Sequence, residues 1–266
     1  LVSAGGTGKS MLAITKGIQM ALGKSSYLTQ KSIERRVCYL SLEDKIKGVR
    51  NRLRKITRHL KLTMEEKVKV TKNFRVVNKK LIVGTKLDNL TPDPILDLFV
   101  GRQTPDLLIV DTARRLNHLN ENDSSEMSAF ISLLEEIGEE LGCVVLLLHH
   151  TSKSSTGAKA RGEDVGSEAA RGSGAIVDNG RGTWYLSKLS RKEADEFELS
   201  EDDRQSYVTL DHTKCNAEKS QDRKILKRVE YGILEEVDIS ELKKEEKTNS
   251  LGMAPAKKKR GGNIKR

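Results

Sequence analysis

The chain has 266 residues, of which 36% are hydrophobic and 32% charged, with a formal net charge of +10. That length suits one large domain or two small ones, and the apolar fraction fills one core. No stretch is long and apolar enough to span a membrane and no signal peptide is visible, so membrane classes are set aside and a cytoplasmic protein is expected. The surplus of Lys and Arg fits a polyanionic partner, nucleic acid or an anionic surface, as well as it fits a plain basic surface. Cys38, Cys143 and Cys215 lie far apart with no metal-ligand spacing, and the first two sit inside apolar runs, as in a reducing cytosol.

In chain order, Leu1-Val2 reads as half of a buried strand, and a natural N-terminus further upstream is expected. Gly5-Gly6-Thr7-Gly8-Lys9-Ser10 is the phosphate-binding end of a P-loop, with Ser3 where G-x-x-x-x-G-K-S has its first glycine. The backbone N–H groups of Ala4 to Met11 are candidates to cradle the phosphates of ATP. Lys9 reaches the β- and γ-phosphates, and the Ser10 hydroxyl ligates Mg²⁺. Leu12, Ile14, Ile18 and Leu22 recur at helical spacing and Gly23 closes the helix, whose N-terminal dipole would face the phosphates.

Residues 24–34 form a polar connection. Val37 to Leu42 reads as a short buried strand ending in Glu43-Asp44. Gly48 to Leu62 follows as a basic amphipathic helix carrying Arg50, Arg52, Arg54 and Arg58. A helix from Met64, a strand at Phe74–Val77 or Leu81–Val83, and a helix over Asp93–Phe99 come next. Leu107 to Asp111 is a central parallel strand, apolar on both faces, with an acid at its end. Residues 112–125 are polar. Asp123 or Ser124 caps a helix over Met127–Leu141, which Gly142 ends. Cys143 to Leu148 is another buried strand, running into His149-His150.

Residues 151–174 hold almost no large apolar side chain and form a flexible basic loop with Lys153, Lys159, Arg161 and Arg171. Order resumes at Ala175–Asn179, Thr183–Leu186 and Ser206–His212, with a closing hairpin over Arg228–Leu234. An ATPase domain over residues 1–240 is expected, followed by a disordered basic tail over 241–266. Alternating strands and helices give an α/β fold with a mostly parallel sheet flanked by helices, and ligands bind such sheets at the C-terminal strand edge. The P-loop, Glu43, Asp111 and the histidine pair all converge there.

Asp111 reads as the acid that holds Mg²⁺ opposite Ser10. Glu43 reads equally as a base that polarises the attacking water and as an acid favouring the N-terminus of the next helix. His149 and His150 are candidate γ-phosphate sensors, and strand alternation sends them to opposite faces, so one of the two reaches the nucleotide.

The run Ser3 to Ser10, Leu40-Ser41-Leu42-Glu43-Asp44, Val110-Asp111-Thr112-Ala113-Arg114-Arg115, Leu148-His149-His150-Thr151-Ser152-Lys153 and Ala170-Arg171-Gly172-Ser173-Gly174 occur in the order seen in RepA-type plasmid replicative helicases. The chain resembles that family from residue 1 to about Asn216. The resemblance implies a RecA-like core, hexameric rings, Glu43 as catalytic base, Asp111 on Mg²⁺ and a histidine of the pair as sensor. It also implies that Arg52 and Arg181 sit near the phosphates, at least one of them from the neighbouring subunit; on the residues alone, both read as surface charges. The implied partners are single-stranded DNA, further copies of the chain and a replication initiator or primase. The basic loop would track the DNA backbone without reading bases. Two other functions compete: a RecA-like DNA-binding ATPase that does not unwind, and a truncated copy that binds nucleotide without assembling.

Overall fold

A computed structural model describes residues 1–24, 33–151, 174–216 and 221–238. The expected basic loop, with Lys153, Lys159, Arg161 and Arg171, and the expected tail over 241–266 lie outside the described residues. The described elements are β1 (Val2–Ser3), α1 (Lys9–Ala21), β2 (Val37–Ser41), α2 (Ile46–His59), α3 (Met64–Asn73), β3 (Phe74–Val77), α4 (Asp93–Leu96), β4 (Leu107–Asp111), α5 (Ala113–Leu116) and α6 (Ser124–Leu141). They continue with β5 (Val144–His150), α7 (Gly174–Asn179), β6 (Gly182–Lys188), α8 (Arg191–Glu196), α9 (Glu201–Arg204), β7 (Tyr207–Cys215), β8 (Lys224–Arg228) and β9 (Leu234–Val237).

The strands form a nine-stranded sheet in the order β3-β2-β4-β5-β1-β6-β7-β8-β9. From β3 to β6 neighbouring strands run parallel, and from β6 to β9 they run antiparallel. This is a mixed α/β fold of RecA-like type with a mostly parallel centre.

Alternation along β2 and β4 fills both sides of the sheet. Cys38, Leu40, Leu108 and Val110 pack with Met127, Phe130 and Ile137 of α6. Val37, Tyr39, Leu107 and Ile109 pack on the other face with Ile14 and Ile18 of α1 and Ile56 of α2. Strands buried on both faces need uninterrupted apolar runs, and β4 has one until Asp111. A third cluster joins Leu12 of α1 to Leu186, Val208, Leu210, Leu226 and Leu234 of the antiparallel half.

Helix ends follow local chemistry. Asp123 caps α6 by accepting from the N–H groups of Ser125 and Glu126, and Gly142 closes it in the left-handed region. Thr63 and Glu66 make a reciprocal capping box on α3.

Four expectations change. The strand is at Phe74–Val77 rather than Leu81–Val83, where Gly84 makes only an isolated bridge to Asn117. Residues 112–125 hold α5, one turn anchored by buried Ala113 and Leu116 and too short to show periodicity. Arg228–Leu234 is the turn of the hairpin, whose strands lie on either side of it. Two short polar helices, α8 and α9, stand where no element is expected; Ser190 and Ser200 cap them.

α1 lies close on the sheet at Gly17, where a Cβ would stand 2.8 Å from the Phe74 ring and 3.2 Å from Val37 and Ile109 side-chain carbons. Gly17→Val is expected to destabilise the protein by roughly 2–3 kcal/mol through overpacking, read as a lower denaturation midpoint.

Candidate active site

β1 runs between β5 and β6 to the C-terminal edge of the sheet, and the chain turns there into α1. The turn depends on glycine at two places, Gly6 with φ +73 and Gly8 with φ +116, values that L side chains rarely adopt. Gly8 is the N-cap of α1; among the described residues no side chain caps this end, and no acid sits in the first turn. Helices usually close this end with Ser, Thr or Asp. Here the first amides and the positive end of the dipole are left for an anion to meet.

Lys9 is 5% exposed. Its ammonium donates to Ser3 Oγ at 2.9 Å and to the Ser3 carbonyl at 3.1 Å. Ser3, at the position of the missing glycine, is therefore a holder of the lysine. Burial pushes Lys9 down to about 8, against the attraction of Asp111 and Glu43.

The Lys9 ammonium also lies 3.1 Å from Nδ1 of His150. An ammonium only donates, so Nδ1 accepts and a neutral His150 carries its proton on Nε2. That Nε2 lies 3.6 Å from Glu43 Oε2. Lys9, His150 and Glu43 thus stand in a row across the strand edge. His149 points the other way. Leu146 and Leu148 belong to the α1 face, and His150 shares their parity. Val145 and Leu147 belong to the α6 face, and His149 shares theirs. His149 is buried, its Nδ1 has no hydrogen-bond partner among the described residues, and burial holds its pKa down at about 4.

Asp111 ends β4, buried, on the α1 face with Tyr39 and Ile109. The Tyr39 hydroxyl donates to its Oδ2. Burial, then the Asp111 charge, drive the phenol pKa upward, so Tyr39 stays a donor. One carboxylate oxygen is fixed by this bond and Oδ1 is available to a hydrated cation. An uncapped helix N-terminus, a cation beside it, the Ser10 hydroxyl and a buried oriented carboxylate fit Mg²⁺ and a nucleotide. Mg²⁺ takes one or two protein oxygens, with phosphate and water supplying the rest.

Arg52 pairs with Asp44 at the start of α2, next to the loop that carries Glu43. Arg181 lies elsewhere. Ser3 pairs with Leu186, and Arg181 precedes the start of β6 at Gly182. At about 3.3 Å per strand residue it stands roughly 17 Å back along the strand. There it is 76% exposed and pairs with Glu135 of α6 at 2.7 Å. Arg181 is therefore at the opposite edge from the P-loop of its own chain.

Three residues at the site carry no signal we could read in sequence. Tyr39 is hidden as one more large residue in a buried strand. Asn78 donates to the carbonyls of Ser41 at 3.0 Å and Asp44 at 2.7 Å, tying down the Glu43 loop. Arg228 donates to the Thr7 carbonyl at 2.9 Å from 221 residues away.

Residues 1–156 match the AAA domain family model, AAA_25. A solved ATPase domain is similar in structure, with 17% identity and a TM-score of 0.57 over 89% of this chain and 83% of that one. A DnaB-like replicative helicase, described with its interactions with primase, gives 15% identity and 0.54, covering 89% of this chain and 56% of that chain. The RadB recombinase gives 15% and 0.53, covering 90% of this chain and 91% of that one. At these identities the likeness is one of fold.

The Lys9 shift has a measurable sign. Between about pH 8 and 10.5 the unfolded chain holds a proton the folded chain has released, so stability rises with pH in that window. Below pH 8 the fold carries the full cost of the buried ammonium. Lys9→Met removes that cost and orphans no buried carbonyl, since the Ser3 carbonyl also accepts from the Thr151 N–H and Ser3 Oγ donates to the Ala4 carbonyl, while His150, which loses the Lys9 donor, is on a side chain 37% exposed to water. The variant is expected to melt higher than wild type at pH 7, with the gap closing toward pH 10. Lys16, lowered to about 8 in the same way, keeps part of the slope in both proteins.

Proposed function

The chain belongs to the AAA domain family, and from that premise we propose that it is an ATP-hydrolysing motor of the RepA plasmid-helicase type, working as a ring on single-stranded DNA. The observation that carries the proposal is the convergence of Lys9, His150, Glu43 and Asp111 on one strand edge beside an uncapped helix N-terminus.

In this reading the P-loop amides and Lys9 hold the phosphates, and Ser10 and Asp111 hold Mg²⁺, which neutralises charge developing on the phosphoryl oxygens when bound. Glu43 takes the proton of the attacking water. His150 touches Lys9 and borders Glu43, so loss of the γ-phosphate removes an anion from beside its Lys9 partner; that is the geometry of a sensor. Arg52 supports the phosphate side from the middle of α2, through its pair with Asp44. Arg181 acts in trans, a role supported by its exposure and by its distance from its own P-loop. The loop with Lys153, Lys159, Arg161 and Arg171 follows the sensor strand directly and carries the DNA contact. Its attachment to that strand couples DNA grip to nucleotide state. The ATPase domain runs over residues 1–240, and the oligomer is a hexamer that meets an initiator or primase.

A second reading is a DNA-binding ATPase that does not unwind. It draws support from the likeness in fold to the RadB recombinase over 90% of this chain. ATP-dependent strand separation of a forked duplex distinguishes the two.

Glu43→Gln is expected to lower hydrolysis by on the order of 10²–10⁴ with nucleotide binding retained. A variant that turns over normally and only melts lower would make Glu43 a helix-start acid. Mixing Glu43→Gln with Arg181→Ala subunits is expected to restore some turnover, because an interface with both residues intact re-forms. No recovery in subunits shown to co-assemble rejects the trans assignment.

Neutralising Lys153, Lys159 and Arg161 together is expected to weaken single-strand binding. It should flatten the slope of log affinity against log salt by about 2 and abolish DNA stimulation of the ATPase, while basal turnover persists. An unchanged salt slope rejects the loop as the DNA contact.

A further inference from the structure

The turn joining β8 to β9 is seated on the P-loop. Ile233 is buried in the same core as Met11, Ile14 and Ile18 of α1. A Cβ on Gly8 would stand 3.1 Å from Leu234 Cδ1 and 3.7 Å from both terminal nitrogens of Arg228. The turn is tightly built: Val229 N–H donates to the Ile233 carbonyl at 2.9 Å, and Tyr231 and Gly232 adopt φ of +63 and +79. Arg228 is thereby fixed at the mouth of the turn, with Nη2 donating to the Thr7 carbonyl at 2.9 Å.

We propose that Arg228 is a positioning residue for the nucleotide, acting through the Thr7–Gly8 peptide. In a trans peptide the C=O and N–H bonds point in opposite directions. A donor that holds the Thr7 carbonyl toward the hairpin aims the Gly8 N–H away from it, into the cradle of the loop. The rotation of that peptide plane depends on such a donor, because glycine at 8 leaves the backbone nearly free to turn. The Gly8 carbonyl is already committed, accepting from the Leu12 N–H at 2.9 Å as the first helical bond. The Ala4 carbonyl is likewise held by a side-chain donor, the Thr7 hydroxyl at 2.8 Å. The C-terminal hairpin is in this sense part of the phosphate site, although it lies 221 residues from it along the chain.

The inference rests on the reading of the P-loop as a nucleotide site, and its test keeps the two apart. Full-length wild type, Arg228→Ala, Arg228→Gln and Arg228→Lys are titrated with Mg²⁺–ATP and Mg²⁺–ADP, and steady-state hydrolysis is measured. P-loop amides meet the α- and β-phosphates, which both nucleotides share. Arg228→Ala is therefore expected to weaken ATP and ADP by the same factor, about tenfold, the loss of one charge-assisted hydrogen bond. KM should rise and kcat at saturation should stay within about twofold. Gln and Lys, which keep a donor, should recover part of the affinity. Unchanged affinity in a folded Arg228→Ala protein overturns the inference. So does weakening of ATP alone, which would mean a direct contact with the γ-phosphate. If Arg228→Ala fails to fold, Gln and Lys decide: ATP and ADP affinities in both at the wild-type level, with no loss at all, also overturn it. A wild type that binds neither nucleotide overturns this inference together with the proposed function.

Discussion

The constraint on which the rest of this structure depends is a buried ammonium. Lys9 is nearly out of water and its charge is disfavoured there. The protein satisfies it by bending it back onto the Ser3 carbonyl and hydroxyl and against His150. Carboxylates at Glu43 and Asp111 lower the cost of the charge without cancelling it. A site of this kind stores unfavourable electrostatics that a polyanion relieves, because phosphate oxygens are stronger partners for an ammonium than neutral acceptors. The uncapped end of α1 adds to the same field. The sheet has to bring β1, β2, β4 and β5 together at one edge for this to happen, and its order, with β1 beside β5 and β4 beside β2, does so.

Much of that edge is legible in the sequence. A glycine run before an amphipathic helix, and apolar runs ending in Glu43, Asp111 and the histidine pair, mark strands by their length and ends by their charge. Alternation also says that His149 and His150 part company. It cannot say which one meets the P-loop, because parity within a strand is relative. The choice is made by packing: Leu146 and Leu148 join α1, so His150 goes with them and His149 is left buried on the other face. The same parity puts Tyr39, Ile109 and Asp111 on one face, which is how a tyrosine two positions before Ser41 comes to orient the acid of another strand.

What escapes the sequence has a common cause. α5, α8 and α9 are single turns or little more, below the length at which periodicity rises above chance. Asn78 and Arg228 act on backbone carbonyls, and a donor to a carbonyl leaves no pattern, since every residue has one. For Arg228 the sequence separation removes even the clue of proximity. A hairpin near Arg228 can be read from the residues, but its seat on Gly8 is a property of the third apolar cluster, where Leu12 of α1 meets Leu226 and Leu234.

The opposite edge of the sheet supplies the last step. Arg181 and the helix before it, α7, sit by α6, where Arg181 is held by Glu135 in an exposed pair. Exposed pairs of this kind contribute little to stability and exchange partners readily. An arginine so placed is available to a neighbour and unavailable to its own P-loop, roughly 17 Å along β6. A chain with its phosphate site at one end of the sheet and an exposed cation at the other is suited to head-to-tail contact, in which each copy completes the next. Heterologous contacts of that kind close into rings when the rotation between copies permits. On the proposed trans role of Arg181, catalysis and assembly become one requirement, because that cation reaches a phosphate site only across a contact between two copies.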